Sequence, residues 1–245
     1  MPIRFSAFGR VFAPSWATTL ATLLLLALFV SLGRWQWHRG EAKQVLWDHF
    51  ESTMSADPAP VPMHLDAAPR YLVVRMTGLF DVKHQFLLDN RFYKGAPGYE
   101  VLTPFKLLDG RIVLVNRGWV PFTGYRDKLP DITIEAPSFY APGNIFGRID
   151  ELPSAGLASG RAPPTTDATW PKVTAFPTHD ELQAALGTKI ESRILLLTSK
   201  TYAYDHDWSP AGLTPDRHFS YAIQWWGFAL VLLVLYFGLN FRKVP

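Results

Sequence analysis

No cysteine occurs in the 245 residues. Disulfides, thiolate catalysis, Cys-ligated zinc, iron–sulfur clusters and covalent haem attachment through C-x-x-C-H are therefore excluded, and either redox compartment remains compatible. G-x-S-x-G, H-E-x-x-H, Walker-loop and G-x-G-x-x-G patterns are also missing, so no familiar catalytic signature is present. Charge is absent from two long stretches. Residues 11–33 and 219–241 each run 23 positions without Asp, Glu, Lys or Arg, and a helix rising about 1.5 Å per residue needs only ~20 to cross a bilayer core. Acids are absent from both tails: all 21 fall within residues 34–217, together with 20 of the 24 basic residues.

The first uncharged run, centred on LATLLLLALFVSLG, follows Arg4 and Arg10. A basic head before an apolar block is also the layout of a signal peptide. The block is long for that role, and Ser31-Leu32-Gly33 leads straight into Arg34-Trp35-Gln36-Trp37 without a small-x-small cleavage site. It reads as a retained transmembrane helix over 11–33, with a second span over 218–241. Tails of 1–10 and 242–245 then share one side of the membrane, and 34–217 forms a domain on the other. The positive-inside comparison is a tie: Arg4, Arg10, Arg242 and Lys243 stand against Arg34, Arg39, Lys43 and Arg217. Basic tails without acids favour a cytoplasmic N- and C-terminus. A mean hydropathy of +0.04 is too low for a polytopic transporter. The near-neutral middle domain also lacks the basic face that nucleic acid requires.

After the first span, RWQWHRGEAKQVLWDHFES reads as a short amphipathic helical extension. Trp35, Trp37 and Trp47 suit an interfacial aromatic belt, and Arg34 and Arg39 can snorkel to headgroups. ADPAPVPMHLDAAP is a proline-rich connector. From Arg70 the pattern changes to short β-type runs: YLVVRMTGLF, QFLLDNRFY, YEVLTPFKLL and RIVLVNRGWV, with Asp109-Gly110 as a two-residue hairpin signal. ITIEA, NIFGRI and SRILLLTSKTYAYD add further strands. LPSAGLASGRAPPTTDATWP is a long loop. THDELQAALG signals one short helix, with Thr178 and Glu181 as a capping box and Gly187 at its C-terminal end. The fold class expected is a membrane protein of α+β type: two transmembrane helices flanking a mainly antiparallel β domain, a small barrel or sandwich, with a short helix.

Three places could carry chemistry. Asp205-His206-Asp207 could hold a hard divalent ion if the loop curves, or be a solvated loop before the second span. Arg117, after the strand IVLV, could clamp a carboxylate such as a haem propionate bidentately, or pair internally with Glu100 or Asp89. His218, Tyr221 and Trp225 fall on one helix face at the membrane boundary. There an imidazole nitrogen above flat aromatic surface suits haem, which needs an axial ligand and an apolar slot. Equally, His, Tyr and Trp are ordinary interfacial belt residues.

Four blocks, GRWQWHRGEAK, PGYEVLTPF, VLVNRGWVP and HFSYAIQWWGFA, resemble the signature blocks of the surfeit-locus family of cytochrome c oxidase assembly factors. They occur in the family's order, in a chain with the same two-span layout, and the likeness covers nearly everything outside 150–175. Trp226, where the family more usually has Phe, and Trp37, where it has an aliphatic residue, depart from the pattern. The resemblance implies a non-enzymatic biogenesis factor with its β domain in the periplasm or intermembrane space. It implies haem A as cargo, with His218 as axial ligand to the iron, and delivery to or stabilisation in the oxidase's catalytic subunit. Haem A synthase and the lipid bilayer would be its other partners. The alternative is a membrane scaffold for oxidase assembly that binds no haem. The short stretch before the first span leaves no room for a transit peptide, which favours a bacterial inner membrane over a mitochondrial one.

Overall fold

The computed structural model describes residues 5–7, 10–134, 142–155 and 160–243. In chain order the elements are β1 (Phe5–Ala7), β2 (Arg10–Phe12), α1 (Trp16–Ser52), β3 (Ala59–Pro60), β4 (Val73–Phe80), β5 (Phe86–Tyr93), β6 (Ala96–Leu107), β7 (Ile112–Pro121), β8 (Gly143–Asp150), β9 (Lys172–Thr174), α2 (His179–Leu186), β10 (Ile194–Leu197), α3 (Pro215–Asn240) and β11 (Phe241–Lys243). They form two compact units: Met1–Glu51 with Pro210–Pro245, and Ser52–Ser209.

Five strands close the second unit into a barrel. β4, β8, β10, β7 and β6 are neighbours in that order, and β6 returns to β4 through Gly78↔Leu107, Leu79↔Lys106 and Phe80↔Phe105. The β10–β7 pair is parallel and the other barrel pairs are antiparallel. β6 is long enough to change partner: its last residues close the barrel, while its earlier ones pair with β5, to which β9 adds in parallel. Alternation of side chains sorts the core. On β10, Leu195 and Leu197 join Val74, Met76, Phe105, Val113, Val115 and Ile145 in one apolar cluster. Ile194 and Leu196 face the other way, into a second cluster with Leu114, Phe86 and Leu182 of α2. A strand buried on both faces reads as an unbroken apolar run, which is what ILLL is.

α2 is built as its sequence signals. The Thr178 side chain accepts from the Glu181 N–H, Glu181 reaches back to the Thr178 N–H, and Gly187 adopts φ 66° at the C-terminal end. Three strand details differ from expectation. The hairpin at Asp109-Gly110 has a three-residue loop, because Leu107 N–H donates to Arg111 O and Gly110, at φ 90°, donates to Leu107 O. In the ITIEA segment, Ile132 and Ile134 are buried alternately but join no sheet, because the Ile132 carbonyl accepts from Arg117 and Gln85 side chains; residues 135–136 lie outside the described ones. The 192–205 segment supplies only four strand residues before turning away, and touches β7 again at a single Trp119↔Asp205 bridge. The expected loop over 152–171 is irregular in its described parts, and 156–159 lie outside them.

The first unit is a helical hairpin. α1 is one continuous helix of 37 residues, about 55 Å long, so the first span and the extension after it are a single rod. Pro14 precedes it and the Ser15 hydroxyl accepts the Thr18 N–H at 3.1 Å, the usual polar start to a helix. α3 starts on Pro215, where a missing N–H is harmless. β11, directly after α3, pairs antiparallel with β2, directly before α1. Both helices are long and apolar enough to cross a membrane, and only 11% of each apolar window is buried. A core helix of a soluble domain would be mostly covered, so these surfaces suit lipid.

Candidate functional site

The sequence of each helix repeats its contacts every seven residues, the spacing that keeps one seam facing a partner helix. Phe29 stacks on Trp225 with ring centroids 5.8 Å apart. Seven residues on in α1 and seven back in α3, Gln36 Oε1 meets His218 Nδ1 at 2.9 Å. Seven further along α1, Lys43 Nζ donates at 2.7 Å to the carbonyl of Ala211, in the loop just before α3. A parallel row is cut by glycine. A Cβ on Gly33 would lie 2.3 Å from Trp226 Nε1, and one on Gly40 would lie 2.6 Å from Phe219 Cε1. Each indole or phenyl ring thus packs where a side chain is missing. Trp37 covers both rings, at 4.8 Å from Phe219 and 5.6 Å from Trp226. Ala222 and Ala229 are buried along the same line.

His218 is therefore held by the seam. Its ring is half-buried, the Gln36 contact is at Nδ1, and among the described residues Nε2 has no hydrogen-bond partner. The charged side chains closest to influencing the ring are Arg39 and Lys43, both cations. Trp225, two turns further into α3, is half-buried against Phe29 and meets Phe228 edge-on at 5.8 Å. Tyr221 is 40% exposed and touches no other ring among the described residues. Of the four side chains singled out from the sequence, His218 and Trp225 share the seam and Tyr221 stands outward beside them.

Arg117 belongs to the barrel unit. Its guanidinium is buried, with Nε donating to Tyr202 O at 2.8 Å and Nη1 to Gln85 Oε1 and Ile132 O, both at 3.1 Å. The Tyr204 ring covers it at 4.6 Å. Burial pushes the group below the usual arginine range, with the Tyr204 phenol opposing that shift, and its backbone and amide acceptors are carbonyl oxygens rather than a carboxylate. Neither expected internal partner is used. Glu100 accepts from Asn116 at 2.7 Å and Asp89 pairs with Arg126. The side chain braces β7 against three loops.

Asp205-His206-Asp207 is not assembled as a cation cage: among the described residues no group of three His, Asp or Glu could hold a metal ion. His206 instead lies parallel to Trp208 at 5.1 Å, and Trp119 N–H donates to the Asp205 carbonyl at 2.7 Å. Burial pushes the His206 pKa down. Gln36, Gly33 and Gly40 are the site residues missed from the sequence. Their signal was available: glycines 33 and 40 share the seven-residue step that separates 29 from 36 and 218 from 225.

The SURF1 family profile matches residues 23–230. The SURF1-like protein of Rickettsia felis is 25% identical over 228 residues, covering 89% of this chain and 95% of its own length. Surfeit locus protein 1 of Mus musculus is 26% identical over 249 aligned residues, covering 91% of this chain and 76% of the mouse protein. The SURF1-like protein of Monosiga brevicollis is 34% identical over a shorter stretch of 114 residues, 41% of this chain and 44% of its own. A match running from within the first apolar helix through the barrel segment into the second, over most of the chain, places it in the SURF1 family.

Proposed function

We propose that this protein binds an A-type haem at the outer end of its helical hairpin and assists its delivery to, or stabilisation in, the catalytic subunit of cytochrome c oxidase. SURF1 membership implies a part in oxidase assembly, and two helices suited to a bilayer agree with a membrane-bound role. The haem reading is supported by one observation above all. A half-buried imidazole is oriented by its inner nitrogen, and its outer nitrogen has no partner among the described residues. The donor set fits the cargo: one neutral nitrogen, flat aromatic surface from Trp225 and Phe29 two turns away, an outward Tyr221, and an apolar helical surface beside them. Bound haem would contribute only its iron as the acceptor of that nitrogen. The protein holds and presents it, and acts as a carrier rather than as an enzyme. Arg117 serves the barrel in this reading, because its Nε and Nη1 donors already have acceptors inside the domain.

The orientation proposed is both termini in the cytoplasm and 34–217 in the periplasm of a bacterial inner membrane, with the oxidase catalytic subunit and haem A synthase as neighbours. Alkaline phosphatase inserted at Gly160 should be active and a fusion after Lys243 inactive; the reverse pattern would invert the topology. The cargo is tested by the absorption spectrum of protein purified in mild detergent from cells that make haem A. The wild type should carry a Soret band, and His218→Ala, made and inserted at normal levels, should lose or strongly shift it. An unchanged spectrum in His218→Ala would favour the scaffold reading. That reading draws on the aromatic row of Trp37 and Trp226, each more than a third exposed along the hairpin.

A further inference from the structure

We propose that Gln36 is a positioning residue for His218: its side-chain carbonyl accepts the Nδ1–H, holds the imidazole in the Nδ1-protonated tautomer and leaves the Nε2 lone pair free for the iron of the haem. This rests on the haem reading of His218 given above. A neutral imidazole has one donor nitrogen and one acceptor nitrogen, and a carbonyl oxygen can only accept. The 2.9 Å contact between Nδ1 and Gln36 Oε1 therefore puts the proton on Nδ1 and the free electron pair on Nε2.

Gln36 is itself fixed by the helix that carries it. One heptad to either side, Phe29 is stacked on Trp225 and Lys43 is bonded to Ala211, so the amide sits between two anchored contacts of the same seam. The charged groups of α1 that act electrostatically on the ring are the cations Arg39 and Lys43. Neither can accept a proton, so the amide carbonyl is the acceptor offered to Nδ1–H. Histidines that bind metal are generally oriented in this way by the hydrogen bond of their second nitrogen, which also raises the basicity of the ligating one. A membrane-boundary histidine serving only as a belt residue would point its polar edge at water. This one turns a nitrogen inward to an amide on the opposite helix.

The experiment uses full-length protein in nanodiscs, titrated with haem A and followed by Soret absorption and by spectroelectrochemical reduction potential. Gln36→Met keeps the side-chain length and removes the acceptor. Gln36→Glu keeps the acceptor and strengthens it. Gln36→Met should weaken haem A binding about ten- to a hundredfold and raise the potential. Gln36→Glu should bind as the wild type does and lower the potential, because a more electron-rich imidazole favours ferric iron. If Gln36→Met matches the wild type in both affinity and potential while His218→Ala fails to bind, Gln36 is only a packing residue and the haem reading stands without it. If His218→Ala binds like the wild type, the haem reading falls and this inference with it. Should Gln36→Met fail to insert, the potential of Gln36→Glu decides, and an unchanged value there overturns the proposal.

Discussion

Replacing Arg117 by Met distinguishes a brace from a ligand clamp. The substitution keeps most of the buried stem and deletes the guanidinium, removing its three hydrogen bonds to the Tyr202 carbonyl, the Ile132 carbonyl and the Gln85 amide oxygen, although Ile132 O keeps the Gln85 amide and Gln85 Oε1 keeps the Thr103 hydroxyl. Each hydrogen bond to the charged group contributes about 1.5–3 kcal/mol. Against that stands relief of the several kcal/mol needed to desolvate a buried cation. A net loss of about 2–4 kcal/mol is expected. For a domain of this size each kcal/mol moves the melting temperature by about 2–4 °C, so Arg117→Met should melt about 5–15 °C lower. Near-UV circular dichroism on heating reads this directly, and haem per folded protein should stay at the wild-type level. Arg117→Lys should fall between the two, since an ammonium reaches fewer of the three acceptors. A melting temperature unchanged within about 2 °C, with haem retention reduced, would refute the brace and return Arg117 to the ligand.

Gly33→Ala should destabilise the hairpin by about 1–3 kcal/mol, because its Cβ would fall 2.3 Å from the Trp226 indole nitrogen. Adding Trp226→Phe should recover much of that loss, and strictly additive effects in a denaturant titration would contradict the packing. Asp167 accepts from Thr169 and Thr165, and lies 3.3 Å from Lys172 Nζ, which holds its pKa at about 2. Its stabilising effect is present above the ordinary carboxylate value near 4 and is lost as pH falls towards 2. Acid unfolding of Asp167→Asn should therefore lack the component that the wild type shows in that window, and parallel curves would be the contrary result. His206 is depressed by burial, so its neutral form is favoured in the fold. Stability should drop as pH falls below about 6.5, where the unfolded chain takes up a proton first. His206→Phe, which keeps a ring against Trp208, should flatten that slope in melts run from pH 7 to pH 5.

Period-two alternation made the barrel's strands legible. VVRMTGLF and NIFGRI put apolar residues mainly on one face, IVLV is an unbroken apolar run buried on both, and each became a strand. What alternation could not supply was partner and order. β10 slots in parallel beside β7 although most of the chain between them is irregular or belongs to α2, and nothing in ILLL distinguishes that slot from another buried one. β9 has three residues, too few for any period to register. ITIEA has the right alternation and the right burial at 132 and 134, yet stays out of the sheet. A side chain 15 residues away, Arg117, takes the carbonyl that a neighbouring strand would have needed.

The site shows a related limit. His218 stood out because a histidine before an apolar run is conspicuous, but its hydrogen-bond partner, Gln36, lies 182 positions away in the sequence. The two helices carry matching seven-residue steps: Phe29 and Gln36 against Trp225 and His218, with Gly33 and Gly40 against Trp226 and Phe219, and Lys43 continues the α1 step to the Ala211 carbonyl in the loop before α3. Read one helix at a time, each step is only a weak amphipathic stripe in an apolar span. Laid antiparallel, the steps lock into one register. The polar and aromatic load at the boundary of α3 is half of that register, and it has a defined partner only because α1 runs unbroken past the span to carry the other half. A haem carrier would gain from such a seam: the ligand nitrogen stays oriented whether or not cargo is bound, so capture and release need not reorganise the helices.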